Sequence, residues 1–387
     1  MEEPPRRRII PEMAKALLVT SSFLPGRGGI ETHLDRLCRS LAPALAVMAP
    51  ASREGVPLPG GLGYPTSGFP ARLLVPGPPT VNAIERTAGS HGTSRVLFGT
   101  FWPLALVGPA LARRGLRYAV MVHGAETLVP SATPPLRRAV VKALAGADLL
   151  LAVSDYTGRR VRELLERNGR PVPPIDLLSP AIDLDRFRPG IPAAETRKSW
   201  GVGPDARVVL SFGRLTPRKG IHRLMRVWPE VARRDPTARL VVAGAGPQLS
   251  ALRRAGADNT SGGAVIFPGR VAAEDIPPMY CAADVFVLPV ADRFLGLAVE
   301  GLGIVLLEAA ACCLPSVTGR SGGTPEAVVE GTTGFVVDAR DPKTLADAIA
   351  RLLIDTTLAT TMGKKGREHV SKHYSGELPA SLLEWLA

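Results

Sequence analysis

Short apolar runs of strand length alternate with amphipathic stretches of helix length along almost the whole chain, in two separate series. That alternation constrains the fold more than any other feature. A strand, a helix and a further strand close most simply as a right-handed crossover in a parallel sheet. In the first series the apolar runs lie at 15–21, 44–48, 96–98, 118–122, 148–153 and 175–178, with helices expected over 30–41, 103–114, 134–146 and 155–168. Between 179 and about 200 the pattern lapses into Pro, Asp, Arg and Gly, the composition of an interdomain linker. From Arg207 the second series places strands at 208–212, 240–243, 265–267, 285–288 and 316–318, and helices near 219–234, 247–255, 274–283, 304–313, 342–354 and 358–372. The prediction is an α/β protein of two Rossmann-like, doubly wound domains facing a central cleft, one over 14–190 and one over 191–373. A last short helix within 374–387 is expected to pack back on the first domain. The 387 residues suffice for two cores. The stretch 51–80, rich in Pro and Gly, fits neither series and is expected to be a long irregular connection.

Parallel sheets bind ligands beyond the carboxyl ends of their strands. The stretch 300–308 reads Glu-Gly-Leu-Gly-Ile-Val-Leu-Leu-Glu, two carboxylates around a Gly-x-Gly turn and an apolar run. With Gly303 opening a helix, the N–H groups of Ile304, Val305 and Leu306 are expected to be unpaired and to face an anion such as a diphosphate. Glu308, about one turn in, suits two adjacent ribose hydroxyls, and Glu300, before the turn, a different polyhydroxy group. Arg214 and Lys219 follow the first strand of the second series, in Phe-Gly-Arg-Leu-Thr-Pro-Arg-Lys-Gly. There they would neutralise the diphosphate and the charge that develops as it leaves. A solvated basic turn is the alternative for either cation taken alone.

The first series adds Gly28 and Gly29, which follow a strand and open a helix, so that backbone amides approach a phosphate or sugar closely. They do not complete a dinucleotide-binding fingerprint, and neither does Gly244-Ala-Gly-Pro247, where Leu249 stands in place of the third glycine. His123 ends a strand and is followed by Gly124 and Glu126. It reads either as a satisfied core histidine or as a contact to a reacting sugar. Asp183 and Asp185, an Asp-x-Asp pair, fall in the linker and are expected to turn or cap the chain rather than to hold a metal.

A net charge of +12 and a pI near 10.1 favour an anionic partner: nucleotide, phospholipid or nucleic acid. Nucleic acid is disfavoured, because the cations are interleaved with Asp and Glu and five Tyr make no stacking platform. The helix over 134–146 sets Leu136, Val140, Ala143 and Leu144 on one face and Arg137, Arg138 and Lys142 on another, the pattern of a surface helix or of one lying on an anionic membrane. Four cysteines, Cys38, Cys281, Cys312 and Cys313, show neither metal spacing nor a disulfide framework, and the last two are expected inside an apolar helix. No apolar run approaches the roughly 18 residues of a membrane span. The expectation is a cytoplasmic protein, peripheral at most, whose start is Met1 or, after a polar 2–11 tail, Met13.

The run 212–220, Gly244-Ala-Gly-Pro247, Phe267-Pro-Gly-Arg-Val271, the stretch 300–308 and Gly322-Gly-Thr-Pro-Glu326 together resemble the retaining glycosyltransferases of the GT-B fold, family 4. The resemblance extends to Gly28-Gly-Ile-Glu31, His123-Gly124 and Ser154-Asp-Tyr156 in the first series. It implies that Arg214 and Lys219 bind the diphosphate, Glu308 the ribose, Glu300 the donor sugar, Arg270 and Val271 the base, and that His123 lies near the anomeric centre. The first domain would then be the acceptor side. It also implies no metal, no cofactor beyond the nucleotide-sugar donor, and a front-face substitution in which the leaving phosphate helps deprotonate the acceptor. Within the family, the Val-Glu-Gly-Leu-Gly-Ile-Val run at 299–305 is most like the actinobacterial phosphatidylinositol-mannoside mannosyltransferases, which take mannose from GDP-mannose at the inner membrane face. The expected acceptor is accordingly a phosphoinositide-type glycolipid. A soluble aminocyclitol, another secondary metabolite or a polysaccharide precursor is the alternative acceptor, and a nucleotide-sugar epimerase or a non-catalytic binder the alternative activity.

Overall fold

A computed structural model describes residues 14–26, 28–53, 55–71, 74–124, 133–257, 264–292 and 299–387. Met13 and Glu126 lie outside the described residues. The first unit runs β1 (Ala16–Val19), α1 (Gly29–Ser40), β2 (Leu45–Pro50), β3 (Ser52–Arg53), β4 (Val56–Pro57), β5 (Thr66–Phe69), α2 (Pro78–Ser90), β6 (Arg95–Phe98), α3 (Gly108–Ala112), β7 (Arg117–Val122), α4 (Pro134–Ala145), β8 (Leu149–Ala152), α5 (Asp155–Arg167) and β9 (Ile175–Leu177). Seven of its strands form one parallel sheet in the order β5-β2-β1-β6-β7-β8-β9. The second unit runs α6 (Ala194–Ser199), β10 (Arg207–Phe212), α7 (Ile221–Arg234), β11 (Ala238–Ala243), α8 (Leu249–Ala257), β12 (Val265–Gly269), α9 (Ile276–Cys281), β13 (Val285–Leu288), α10 (Ile304–Ala311), β14 (Ser316–Gly319), α11 (Thr324–Ala327), β15 (Gly334–Val337), α12 (Pro342–Ile354) and α13 (Thr356–His373). Its six strands are also parallel, in the order β12-β11-β10-β13-β14-β15. The chain ends in α14 (Ala380–Leu386).

Strands flanked by helices on both faces must be apolar on both faces, and β1, β2, β8, β13 and β15 are buried along their full length. One face of the first sheet packs Leu17, Val19 and Val120 with Ile84, Leu111, Val140 and Leu165. The other packs Leu18, Val47 and Met121 with Leu34 and Leu37 of α1 and with Leu382, Trp385 and Leu386 of α14. The second sheet has the same two-sided plan: Leu210 and Phe286 meet Tyr280 and Leu306 on one face, while Val209 and Val287 meet Leu224, Trp228 and Ile349 on the other. Two doubly wound sheets are therefore present, as the alternation predicts.

The structure corrects several local expectations. The stretch 51–80 is not wholly irregular: β3 and β4 pair as a short antiparallel hairpin, β5 extends the sheet edge beside β2, and α2 begins at Pro78. The helix expected over 103–114 is a 3-10 turn, Leu104–Val107, followed by the five residues of α3. The linker contains α6, and β15 was not anticipated at all. Cys312 and Cys313 lie past the end of α10, where Cys313 turns the chain with φ of 59°. Leu136 is not in the apolar stripe of α4. It is 39% exposed, and the buried residues are Val140, Val141, Ala143 and Leu144.

Candidate active site

Strand order reverses in the second sheet between β10 and β13, and the loops leaving those two strands carry the residues singled out by the sequence. A crevice opens where neighbouring strands send their connections to opposite faces, which is why ligands collect there in doubly wound sheets. Arg214 and Lys219 lie in the connection from β10 to α7, and Glu300 and Gly303 in the connection from β13 to α10. Gly303, the residue before α10, has φ of 90°, a left-handed conformation that a side chain disfavours. It turns the chain into the helix, whose first amides, those of Ile304 and Val305, have no acceptor within it. Leu306 departs from expectation: its N–H donates to the Gly303 carbonyl at 2.8 Å and is not free for an anion.

In the structure Lys219 and its neighbour Arg218 share one carboxylate, that of Glu300. Lys219 Nζ donates to Glu300 Oε2 at 2.9 Å, and Arg218 Nη1 donates to the same oxygen at 2.5 Å and to the Val299 carbonyl at 3.0 Å. Arg214 is exposed. Pro217–Lys219 form one 3-10 turn, which carries Arg218 and Lys219 to the same carboxylate. Arg218 stands in the sequence motif beside Lys219, and only distance separates it from Arg214 as the partner of Glu300. Glu300 is 8% exposed. Burial pushes its carboxyl up, but the Lys219 ammonium and the Arg218 guanidinium more than reverse this and hold it below the usual value.

Glu308, in the second turn of α10, has the opposite fate. Burial raises its carboxyl to about 7, against the Tyr280 hydroxyl, which donates to Oε2 at 2.9 Å, and the fields of Arg36 and Arg186. Tyr280 was not anticipated; it is fully buried among Phe187, Phe212 and Phe286, which fix its ring. Arg270 and Val271 follow β12 at the same carboxyl edge of the sheet, Arg270 exposed and Val271 half-buried against the core. Asp183 turns the linker, accepting the Arg186 N–H at 2.9 Å.

The first sheet supplies the opposite wall, again from strand ends beside its own reversal at β1 and β6. Gly28 precedes α1 and Gly29 opens it, facing the Ile304 side chain, so the starts of α1 and α10 oppose each other across the crevice. His123 follows β7. Its Nε2–H donates to the Gly99 carbonyl at 2.9 Å, which fixes the ring, and the ring packs edge-on to His33 at 6.2 Å. His33 itself is buried; burial, then His123 and Arg36, push it down to about 3 against a backbone hydrogen bond at Leu178, so it stays neutral. The backbone at Gly301 passes the His123 carbonyl so closely that a Cβ there would stand 2.0 Å from the oxygen. The site thus brings Gly29, His123, Lys219, Glu300, Gly303, Ile304 and Glu308 to one crevice, with Arg214 and Arg270 on its exposed margin.

Comparison with known proteins shows the family. A model described as "Glycosyltransferase Family 4" matches residues 27–186, and one described as "Glycosyl transferases group 1" matches 193–369. A GDP-mannose-dependent alpha-(1-6)-phosphatidylinositol monomannoside mannosyltransferase of Mycobacterium tuberculosis is 38% identical over 97% of this chain and 98% of its own. The protein of the same description from Mycolicibacterium smegmatis is 39% identical over 91% and 92%. Among solved structures, HepE of Anabaena in complex with UDP-glucose superposes with a TM-score of 0.76 over 96% of this chain and 98% of that one, at 21% identity, which is a likeness of fold. Two parallel Rossmann-like domains and near full-length relatives place the chain in glycosyltransferase family 4, with the GT-B architecture.

Proposed function

We propose that this enzyme transfers mannose from GDP-mannose to a hydroxyl of a phosphatidylinositol-mannoside glycolipid, with retention at the anomeric carbon. The observation that carries this reading is the match to the mycobacterial phosphatidylinositol monomannoside mannosyltransferases through both domains, the acceptor side included. In this reading the diphosphate lies at the start of α10, against the Ile304 and Val305 amides, with Lys219 and the exposed Arg214 neutralising it. Glu308 accepts the ribose hydroxyls. Glu300, kept ionised by Lys219 and Arg218, accepts from the sugar, and Arg270 and Val271 flank the base. The backbone amides at Gly28 and Gly29 approach the phosphate end, and His123 approaches the anomeric centre.

The bond from C1 to the β-phosphate oxygen lengthens, the acceptor oxygen closes on the same face, and its proton passes to the departing phosphate oxygen. No metal is required, since the fixed cations and the helix amides meet the developing charge; transfer in EDTA at the untreated rate is expected. The donor is tested by thermal shift with GDP, UDP and their sugars, because a ligand at 100 times its dissociation constant adds about 2.7 kcal/mol of stability. The acceptor is tested by transfer of labelled mannose to phosphatidylinositol monomannoside in mixed micelles. A larger shift with UDP-glucose than with GDP-mannose, or transfer to a free cyclitol but not to the lipid, would sink the reading.

A further inference from the structure

Glu326, on the one-turn helix α11, reaches out of the second domain to the first. Its Oε2 accepts the Asp155 N–H and its Oε1 the Tyr156 N–H, each at 2.8 Å. These are the first two amides of the 13-residue α5, whose N-cap is Ser154. Such amides have no partner inside their helix and carry its positive end, so a two-oxygen anion suits them in both charge and shape. Beside this contact Ser154 Oγ donates to the Gly301 carbonyl at 2.8 Å, one residue from Glu300.

On its own side the same segment is bound to Glu300. The Gly323 N–H donates to the Glu300 carbonyl at 3.0 Å, and Ser321 Oγ accepts the Glu300 N–H at 3.2 Å. The Glu326 carbonyl accepts from His369 Nε2 at 2.9 Å and from the Tyr374 hydroxyl at 3.0 Å, at the end of α13. There the returning chain meets the outgoing linker, with the Ile182 N–H donating to the Tyr374 carbonyl at 2.9 Å. One residue therefore touches the helix of the opposite domain, the segment that fixes Glu300, and the crossover between domains.

We propose that Glu326 is a positioning residue that holds the first domain against the second, in the closed arrangement where His123 meets the 300–303 loop, and that loss of its two bonds opens the cleft. It touches no reacting atom and acts through α5 and Glu300. The kinetic part of this proposal rests on the function proposed above; the conformational part does not.

Two variants remove the contact from opposite sides. Glu326→Gln sets an amide N–H against a backbone N–H. Asp155→Pro deletes one donor at the first helical position, where proline is favoured, and Ser154 before it is already extended at φ −155° and ψ 155°. In the full-length protein with GDP bound, both are expected to raise the radius of gyration in small-angle X-ray scattering and to speed hydrogen exchange at Tyr156 about tenfold. The affinity for GDP should stay within about threefold, since Lys219 and Glu308 both lie within the second domain and neither is held by its contact with α5. Mannosyl transfer should lose about tenfold in kcat. Unchanged scattering and exchange in both variants overturn the proposal, whatever happens to activity. Should the wild type transfer no mannose from GDP-mannose, scattering and exchange still decide it. A variant that fails to fold by circular dichroism leaves the decision to the other.

Discussion

At the scale of single residues, two glutamates on one short stretch are driven in opposite directions. Glu300 has two cations on one oxygen and stays ionised, whereas Glu308 has a hydroxyl donor and the fields of Arg36 and Arg186, which do not offset its burial. Because the Glu308 carboxyl is raised to about 7 from 4.5, the folded protein holds an extra proton between those values. Stability without ligand therefore falls as pH rises through that window, and the penalty is complete above it. GDP, whose ribose hydroxyls would donate to the ionised carboxylate, should bind more tightly at pH 8 than at pH 6. Calorimetric titration at the two pH values is expected to show this in the wild type, and a Glu308→Gln variant is expected to flatten it; an equal slope in the variant would remove Glu308 from the ribose. The cations give a second prediction. Lys219→Ala should lower kcat/KM by about 100-fold or more, as for loss of a group stabilising developing charge. Arg218→Ala should be more damaging than Arg214→Ala, because it weakens the neutralisation of the buried Glu300. Equal effects at Arg214 and Arg218 would show that the pairing seen here is not the working one. The motif made the basic turn legible, but residue order alone could not tell which arginine the 3-10 turn brings to Glu300.

At the scale of elements, legibility followed burial for most strands, with β15, buried throughout yet only Gly-Phe-Val-Val, the exception. Strands such as β1, β8 and β13 are buried throughout and stand out as unbroken apolar runs, and the helices between them carry clear apolar faces. β5 was missed because Thr-Ser-Gly-Phe is a half-exposed edge strand, and α2 because it opens with two prolines and follows a Pro/Gly-rich stretch. α4 shows how a correct element can carry a wrong face. Its sequence suggested a stripe from Leu136 to Leu144, yet the first turn stands clear of the sheet, leaving Leu136 exposed on the helix that also exposes Arg138 and Lys142. An apolar side chain among cations at a helix end is the arrangement that meets an anionic lipid surface. Flotation with phosphatidylinositol-containing vesicles is expected to recover the wild type at low salt. The double variant Arg138→Glu, Lys142→Glu should lose most of that binding while keeping its affinity for GDP. Equal recovery of both proteins would place the lipid contact on another element.

At the scale of the whole molecule, the chain does not simply place one domain after the other. After α13 it crosses back, and α14 lays Leu382, Trp385 and Leu386 on the core of the first sheet, with Trp385 Nε1 donating to Asp148 at 3.1 Å and Ser381 Oγ bound to Asp176 at 2.9 Å. The first domain is thus completed by the last residues of the sequence, and the return path passes Tyr374, which also touches Glu326. Alternation of strands and helices made both sheets legible, and the sequence predicts a last short helix back on the first domain, but the bonds that fasten the crossover join distant loops and were not legible. The tie makes a prediction of its own. Burying a large apolar side chain contributes on the order of 1.5–3 kcal/mol, so ending the chain after Ser375 should destabilise the first domain by roughly 5 kcal/mol. Calorimetry of the truncated protein should then show two separate transitions, the earlier one insensitive to GDP and the later one still raised by it. A truncated protein that melts as one unit at the wild-type temperature would mean that the first domain holds its core without α14, and that the crossover serves only to set the distance between the domains.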